Sequence, residues 1–231
     1  MKILLVSSSI LPQSGGSSII VENLARNFTK KNMLVLGSAE FNQTNKVVRD
    51  SDGPEFRYFF SELSLFGRGA RFFDWFRKWK FQPLVNEIKR TIQQEKITYV
   101  IGVYPNQFYC LAASRAAKNL NIPFSSYFHN TYIENTAITD PKAVDYQNEI
   151  FENSQYVFVM SKGMQVYYKQ KYGLNKFVPL VHTFNEYPDV AKNTGIPKSG
   201  KETYNLVAIG NFNESNLEAT KRFIEAISQN P

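Results

Sequence analysis

The sequence predicts an α/β fold built on a parallel sheet, and three observations carry that prediction. Short apolar runs, partly β-branched, recur along the chain, as in residues 3–6, 33–36, 99–103 and 157–160. Each is short and apolar on both faces of a strand, the signature of burial from two sides. Between them lie stretches with apolar residues at helical spacing. Strands alternating with helices, joined by right-handed crossovers, give a sheet covered on both faces.

The elements follow in order. Residues 2–7 form the first strand, and a loop rich in Ser, Pro and Gly follows over 7–18. Ile19, Ile20, Val21, Leu24, Ala25 and Phe28 then recur at helical spacing. Further strands are predicted at 33–36, 56–60, 99–103, 124–128, 156–160 and 177–180. Further helices are predicted at 68–80, 84–95, 108–120, 144–152 and 163–171, with Pro83 separating the first two. The result is a doubly wound Rossmann-like domain over 1–185. Residues 186–203 hold Pro188, Gly195, Pro197, Gly200 and several lysines, and read as a linker. A strand at 204–209 and a helix at 217–227 then begin a second domain, whose single βα unit cannot bury its own faces.

Composition narrows the function. The chain has 231 residues, 43% apolar and 20% charged, enough for a globular core. Its net charge is +7, which favours an anionic partner: a phosphorylated substrate, nucleic acid or an acidic membrane surface. The single cysteine, Cys110, excludes an intrachain disulfide and a cysteine-based zinc site. The apolar start at 3–6 is too short for a secretory signal, and no run reaches the length of a membrane-spanning helix. Two distant histidines without supporting carboxylates make a poor metal site, so none is expected. There is no RNA-binding signature, and nucleic acid is not an expected partner.

Ligands of an open parallel sheet bind beyond the carboxyl ends of its strands. Gly15 and Gly16 follow the first strand and precede a helix N-terminus, where backbone N–H groups can meet a phosphate or sugar oxygen. The alternative is a flexible turn. No dinucleotide or P-loop glycine signature is present. His129 directly follows the strand 124–128, where an imidazole can hydrogen-bond a ligand or exchange a proton; the alternative is a capping or core histidine. Asn130 is its neighbour in the same loop. Tyr104 and Asn106 follow the strand 99–103 and can stack on or bond to a sugar, or simply form a turn. Ser161 either faces the ligand or caps the next helix.

The segment 66–81 is distinctive. On a helical wheel Phe72, Phe73, Trp75, Phe76 and Trp79 share one arc, with Arg71, Asp74, Arg77 and Lys78 on the rest and a local charge of +4. An aromatic face beside basic residues suits an anionic bilayer surface; the alternative is an ordinary helix packed on the sheet. Arg71, Trp75, Arg77, Lys78 and Trp79 are the candidate membrane contacts.

Taken in order, these pieces resemble the amino-terminal domain of a GT-B glycosyltransferase of retaining family 4 (glycosyl transferases group 1). The matching pieces are residues 1–6 with Gly15-Gly16 and a helix bearing Glu22, Leu24 and Ala25. The Ala-rich helix, Asn121-Ile122-Pro123 before the strand ending in His129, and Val157–Ser161 follow. Residues 181–185 and 204–231 resemble the domain junction and the first βα unit of the nucleotide-sugar domain. The resemblance implies sugar transfer from a nucleotide-sugar donor to a glycan or lipid-linked acceptor, in bacterial surface polysaccharide or glycolipid synthesis, without metal or other cofactor. It implies that Gly15 and Gly16 contact the donor, that His129 acts at the transferred sugar, that Asn185 lies near the junction, and that Gly210 and Asn211 open the donor phosphate loop. The run Gly210-Asn211-Phe212-Asn213 lacks the Arg that often follows this glycine in the family. The expected location is the cytoplasm, peripheral on the inner face of the plasma membrane, and residues 1–231 alone are expected to lack transferase activity. A GT-B sugar-nucleotide epimerase and a non-catalytic basic membrane-binding module are the alternatives.

Overall fold

The structure is a computed structural model that describes residues 1–12, 16–38, 51–59, 70–103, 107–134, 142–181 and 217–228, the side chains of 70–78 and a few other helical positions excepted. The chain divides into two compact units, Met1–Thr183 and Phe184–Pro231. In the second, the described element is the helix α6 (Leu217–Ser228). The predicted linker and the strand at 204–209 lie outside the described residues.

The first unit is a seven-stranded sheet in the order β3-β2-β1-β4-β5-β6-β7, with every neighbouring pair parallel. Its strands are β1 (Ile3–Ser7), β2 (Met33–Ser38), β3 (Glu55–Phe59), β4 (Tyr99–Val103), β5 (Phe124–Phe128), β6 (Val157–Val159) and β7 (Phe177–Pro179). This is the doubly wound Rossmann-like architecture that the apolar runs predict. The chain builds outward through β2 and β3, returns to β4 beside β1, and builds outward the other way. The order therefore reverses between β1 and β4, and the crevice beyond their carboxyl ends is the expected ligand position.

Right-handed crossovers place the helices on opposite faces of the two halves. Helix α1 (Gly16–Ala25) packs Val21 and Ala25 against Ile3, Leu5, Met33 and Val35. Helices α2 (Ala70–Gln94), α3 (Gln107–Asn119), α4 (Ala143–Asn153) and α5 (Lys162–Tyr172) cover the other face, over Leu4, Val6, Val100, Phe128 and Val157. The buried alanines 112, 113, 116 and 117 let α3 lie close to the sheet. Phe151 of α4 sits among the rings of Phe128, Tyr168, Tyr172 and Phe177.

Helix ends follow local rules. Ser161 caps α5, its Oγ accepting from the Met164 N–H at 3.1 Å. Asn121 takes a left-handed φ of 53° after α3, with Asn121 N–H bonded to Lys118 and Ile122 N–H to Ala117. This Schellman turn aims Pro123 and Phe124 into β5.

One expectation is corrected. Residues 68–80 and 84–95 were expected as separate helices broken at Pro83, but α2 runs unbroken from Ala70 to Gln94 with Pro83 inside it. Proline removes a hydrogen bond to the carbonyl four residues earlier, here Trp79. Both Trp79 and Pro83 lie on the exposed side, where water can take that carbonyl. Leu84, Val85, Ile88 and Ile92 meanwhile anchor the helix to the sheet.

Candidate functional site

The loop after β1 is held in place by a close approach. Ile10 is fully buried, and a Cβ built on Gly37 of β2 would lie 2.2 Å from Ile10 Cδ1. The glycine is therefore space for Ile10, and the isoleucine pins the loop that leads to α1. The Tyr58 hydroxyl of β3 adds a hydrogen bond to the Leu11 carbonyl at 2.7 Å.

Helix α1 opens with Gly16, Ser17 and Ser18. Gly16 is exposed, and a Cβ there would meet nothing within 4 Å. Ser17 Oγ lies 3.0 Å from Nε2 of His129. Ser18 is buried, and its Oγ has no hydrogen-bond partner among the described residues.

His129 is the residue after β5 and is only 2% exposed. Alternation along the strand puts it on the same face as Tyr127, the α1 face, and the two rings lie 6.0 Å apart. Burial pushes the Tyr127 hydroxyl up to about 12, so it stays protonated as a neutral group at physiological pH. Strands β1 and β5 flank β4, so the Ser17–His129 contact spans two strand spacings, about 10 Å, over the end of β4. It closes one side of the crevice at the reversal of strand order.

The chain beyond His129 is anchored at Glu134. Its carboxylate accepts from Lys171 Nζ at 2.8 Å, Tyr172 Oη at 3.0 Å and Tyr168 Oη at 3.2 Å. Gln147 bridges the same loop, accepting from Ile133 N–H and donating to Tyr172. Burial alone would raise the Glu134 carboxyl, but the bonds from Lys171, its own backbone N–H and Tyr172 outweigh it and hold the group below its usual range.

The structure thus places Gly16 and His129 near one another at the carboxyl end of the sheet, linked through Ser17, a residue the sequence reading did not single out. Asn130 is exposed beside His129. Ser161 is engaged as a helix cap. Gly15, Tyr104, Asn106, Asn185, Gly210 and Asn211 lie outside the described residues. Of the aromatic helix, Trp79 is described and exposed; the side chains of Arg71, Trp75, Arg77 and Lys78 are not described. Among the described residues no group of three His, Cys, Asp or Glu could hold a metal, and no helix is long and apolar enough to cross a membrane. Cys110 is fully buried, and burial drives its thiol far above the ordinary range, so it is inert.

No family model and no curated protein matches the sequence. Solved structures do match the fold. Anabaena Alr3699/HepE in complex with UDP-glucose superposes with a TM-score of 0.55 at 16% identity, over 80% of this chain and 44% of that one. The UDP-GlcNAc 2-epimerase of Neisseria meningitidis, bound to UDP-GlcNAc, gives 0.51 at 12% identity, over 78% and 45%. A Listeria monocytogenes protein described as a UDP-N-acetylglucosamine 2-epimerase gives 0.51 at 11%, over 76% and 44%. The chain spans under half the length of these structures. At these identities the likeness is one of fold, a Rossmann-like α/β domain with a parallel sheet.

Proposed function

We propose that the chain forms the acceptor-side half of a retaining GT-B glycosyltransferase, which moves a sugar from a nucleoside-diphosphate donor to a glycan or lipid-linked acceptor. The observation that carries this reading is the Ser17–His129 pair, which spans the crevice beyond β4 beside the exposed Gly16. UDP-glucose bound to the similarly folded Anabaena protein supports the donor class.

In this reading the open space at Gly16 admits the donor, and the α1 N-terminus offers backbone N–H groups to its oxygens. His129 and Ser17 together present an imidazole and a hydroxyl to the transferred sugar. Each can donate or accept, so a sugar hydroxyl can join the pair without leaving a buried polar group unsatisfied. The half-buried rim and fixed loops pre-orient these groups, which lowers the reorganisation needed as charge develops at the sugar.

The test uses the protein expressed from its whole open reading frame, with UDP-sugars and a lipid-linked acceptor. Transfer is expected, and His129→Ala should lower it by about ten- to a hundredfold, the equivalent of one lost hydrogen bond to a strongly bound group. Turnover near wild type in His129→Ala would make the histidine structural. Acceptor-independent conversion of UDP-GlcNAc at C2 would instead identify the epimerase.

A further inference from the structure

The loop that begins at His129 crosses the carboxyl end of the sheet from one core to the other. His129 lies on the α1 face, against Ser17 and Tyr127, whereas Tyr132 is buried in the core beneath α2–α5. Asn130 and Thr131, between them, are exposed. Beyond Tyr132 the loop ends in a ring of hydrogen bonds. The Ile133 N–H donates to Gln147 Oε1 at 3.4 Å, Gln147 Nε2 donates to Tyr172 Oη at 2.7 Å, and Tyr172 Oη donates to Glu134 Oε1 at 3.0 Å. The backbone from Ile133 to Glu134 closes the ring. Gln147 is fully buried on α4, so the ring is built into the packed interior rather than laid on the surface.

The groups that hold Glu134 are themselves fixed. Tyr168, Lys171 and Tyr172 stand at i, i+3 and i+4 on α5 and share one face of it. That helix is capped at both ends, by Ser161 and by the left-handed Gly173. The Tyr168 ring is fully buried, 5.6 Å from that of Phe151 and 5.4 Å from that of Phe177. Lys171 Nζ, which donates to Glu134 Oε1, stands 5.4 Å from the centre of the Tyr172 ring. One carboxylate therefore accepts three directional bonds from one anchored helix. The apolar contact of Tyr132 alone would hold the loop down but let it slide. A carboxylate among fixed donors sets both place and direction, at a desolvation cost that an apolar anchor would not incur.

We propose that Glu134 is a positioning residue for His129: through its ring with Gln147 and Tyr172 it fixes the loop 129–134, so that the imidazole meets Ser17 in one orientation. His129 is then set from two sides, by Ser17 on α1 and by the Glu134 lock on α5. Ser17 cannot set it alone. Its hydroxyl turns about a single bond and can follow the imidazole, donating or accepting as the ring requires. The lock fixes the backbone from which the ring projects. Glu134 acts through the chain between them, since its carboxylate is engaged by α5 and not by His129. The lock deepens the proposed function, and rests on it only for the effect on turnover; the orientation of the imidazole is a property of the fold.

The chain has only two histidines, so the imidazole resonances of His129 can be assigned by comparison with His129→Ala. Glu134→Ala should shift and broaden them, and should raise amide exchange across residues 129–134 at least about tenfold. Tyr172→Phe removes only the hydroxyl shared by Gln147 and Glu134. It should give the same response at smaller amplitude, and it carries the test if Glu134→Ala does not fold. Glu149→Ala is the control: it breaks the two-bond Arg115 pair between α3 and α4, and should leave the His129 resonances in place. In the protein expressed from its whole open reading frame, Glu134→Ala should lower kcat about tenfold with the donor KM within about twofold. The same substitution should lower nothing further in the His129→Ala background. His129 resonances unmoved by Glu134→Ala and Tyr172→Phe, or moved equally by Glu149→Ala, overturn the lock, as do additive losses in the double variant. A His129 ring that responds as expected in a protein without sugar transfer would leave the lock standing and sink the enzyme.

Discussion

At the amino edge of the sheet, charges are matched in pairs; at the carboxyl edge near β1 and β5, the described polar groups are serine hydroxyls and one imidazole. Lys2 Nζ binds the Glu95 carboxylate at 2.7 Å, and Arg57 joins Glu95 to Glu55. Lys176 donates to the carbonyls of Phe151, Glu152 and Ser154. These contacts tie β1, β3, β7 and two helices together. Across the sheet stand Ser7, Ser8, Ser17, Ser18 and His129, with open space at Gly16 and a buried Ser18 hydroxyl that has no partner among the described residues. In the proposed function, the difference separates a structural edge from a receptive one. The first pairs its charges internally; the second leaves one buried hydroxyl, that of Ser18, without a partner among the described residues.

The largest effect is expected from disturbing the loop that shapes the receptive edge. Gly37→Ala places a methyl 2.2 Å from Ile10 Cδ1, so the Ile10 side chain or the loop that carries it must shift. Denaturant unfolding should show a loss of about 1–3 kcal/mol. An unchanged midpoint would mean that the Ile10 contact does not fix the loop.

Next comes Glu95→Gln at the structural edge. Bonds from Lys2 and then Arg57 hold the Glu95 carboxyl below its usual range. A carboxyl lowered on folding stabilises the native state above its unfolded pKa, about 4.3, and the gain is lost as pH falls through the folded value. The groups are partly exposed, so the variant should cost no more than about 1 kcal/mol at neutral pH. That cost should vanish on acidification below about pH 4. A pH-independent difference would show that the network acts by packing rather than by charge.

The smallest and most discriminating change is Ser18→Ala. With no partner for the hydroxyl among the described residues, the fold should be unaffected or gain about 0.5–1 kcal/mol. If the edge is receptive, the same variant should weaken UDP-sugar binding, read by calorimetry. A variant that binds as well as wild type would remove Ser18 from the crevice.

Much of this was legible in the sequence because the parallel strands are buried on both sides, so each is a short apolar run. The position of His129 followed from the same logic, since a residue just past a strand's carboxyl end faces the crevice. Ser17 escaped notice because its meaning lies in the partner across β4, and no local pattern announces a tertiary hydrogen bond. Gly37 escaped for a related reason: its missing side chain makes room for a residue in another loop. The break expected at Pro83 shows local preference yielding to tertiary packing. A proline on the solvent side of an anchored helix costs a hydrogen bond that water can replace.

Ser17 and His129 are 112 positions apart in the chain. The crevice therefore has no existence in a partly folded chain: α1 and β2 can form locally, but the pair appears only when β4 and β5 have added to β1. Parallel pairings across such separations are slow steps in folding. Affinity for a ligand that engages both residues is for that reason a reporter of the finished sheet, and such a ligand would favour completion of the sheet over every earlier intermediate.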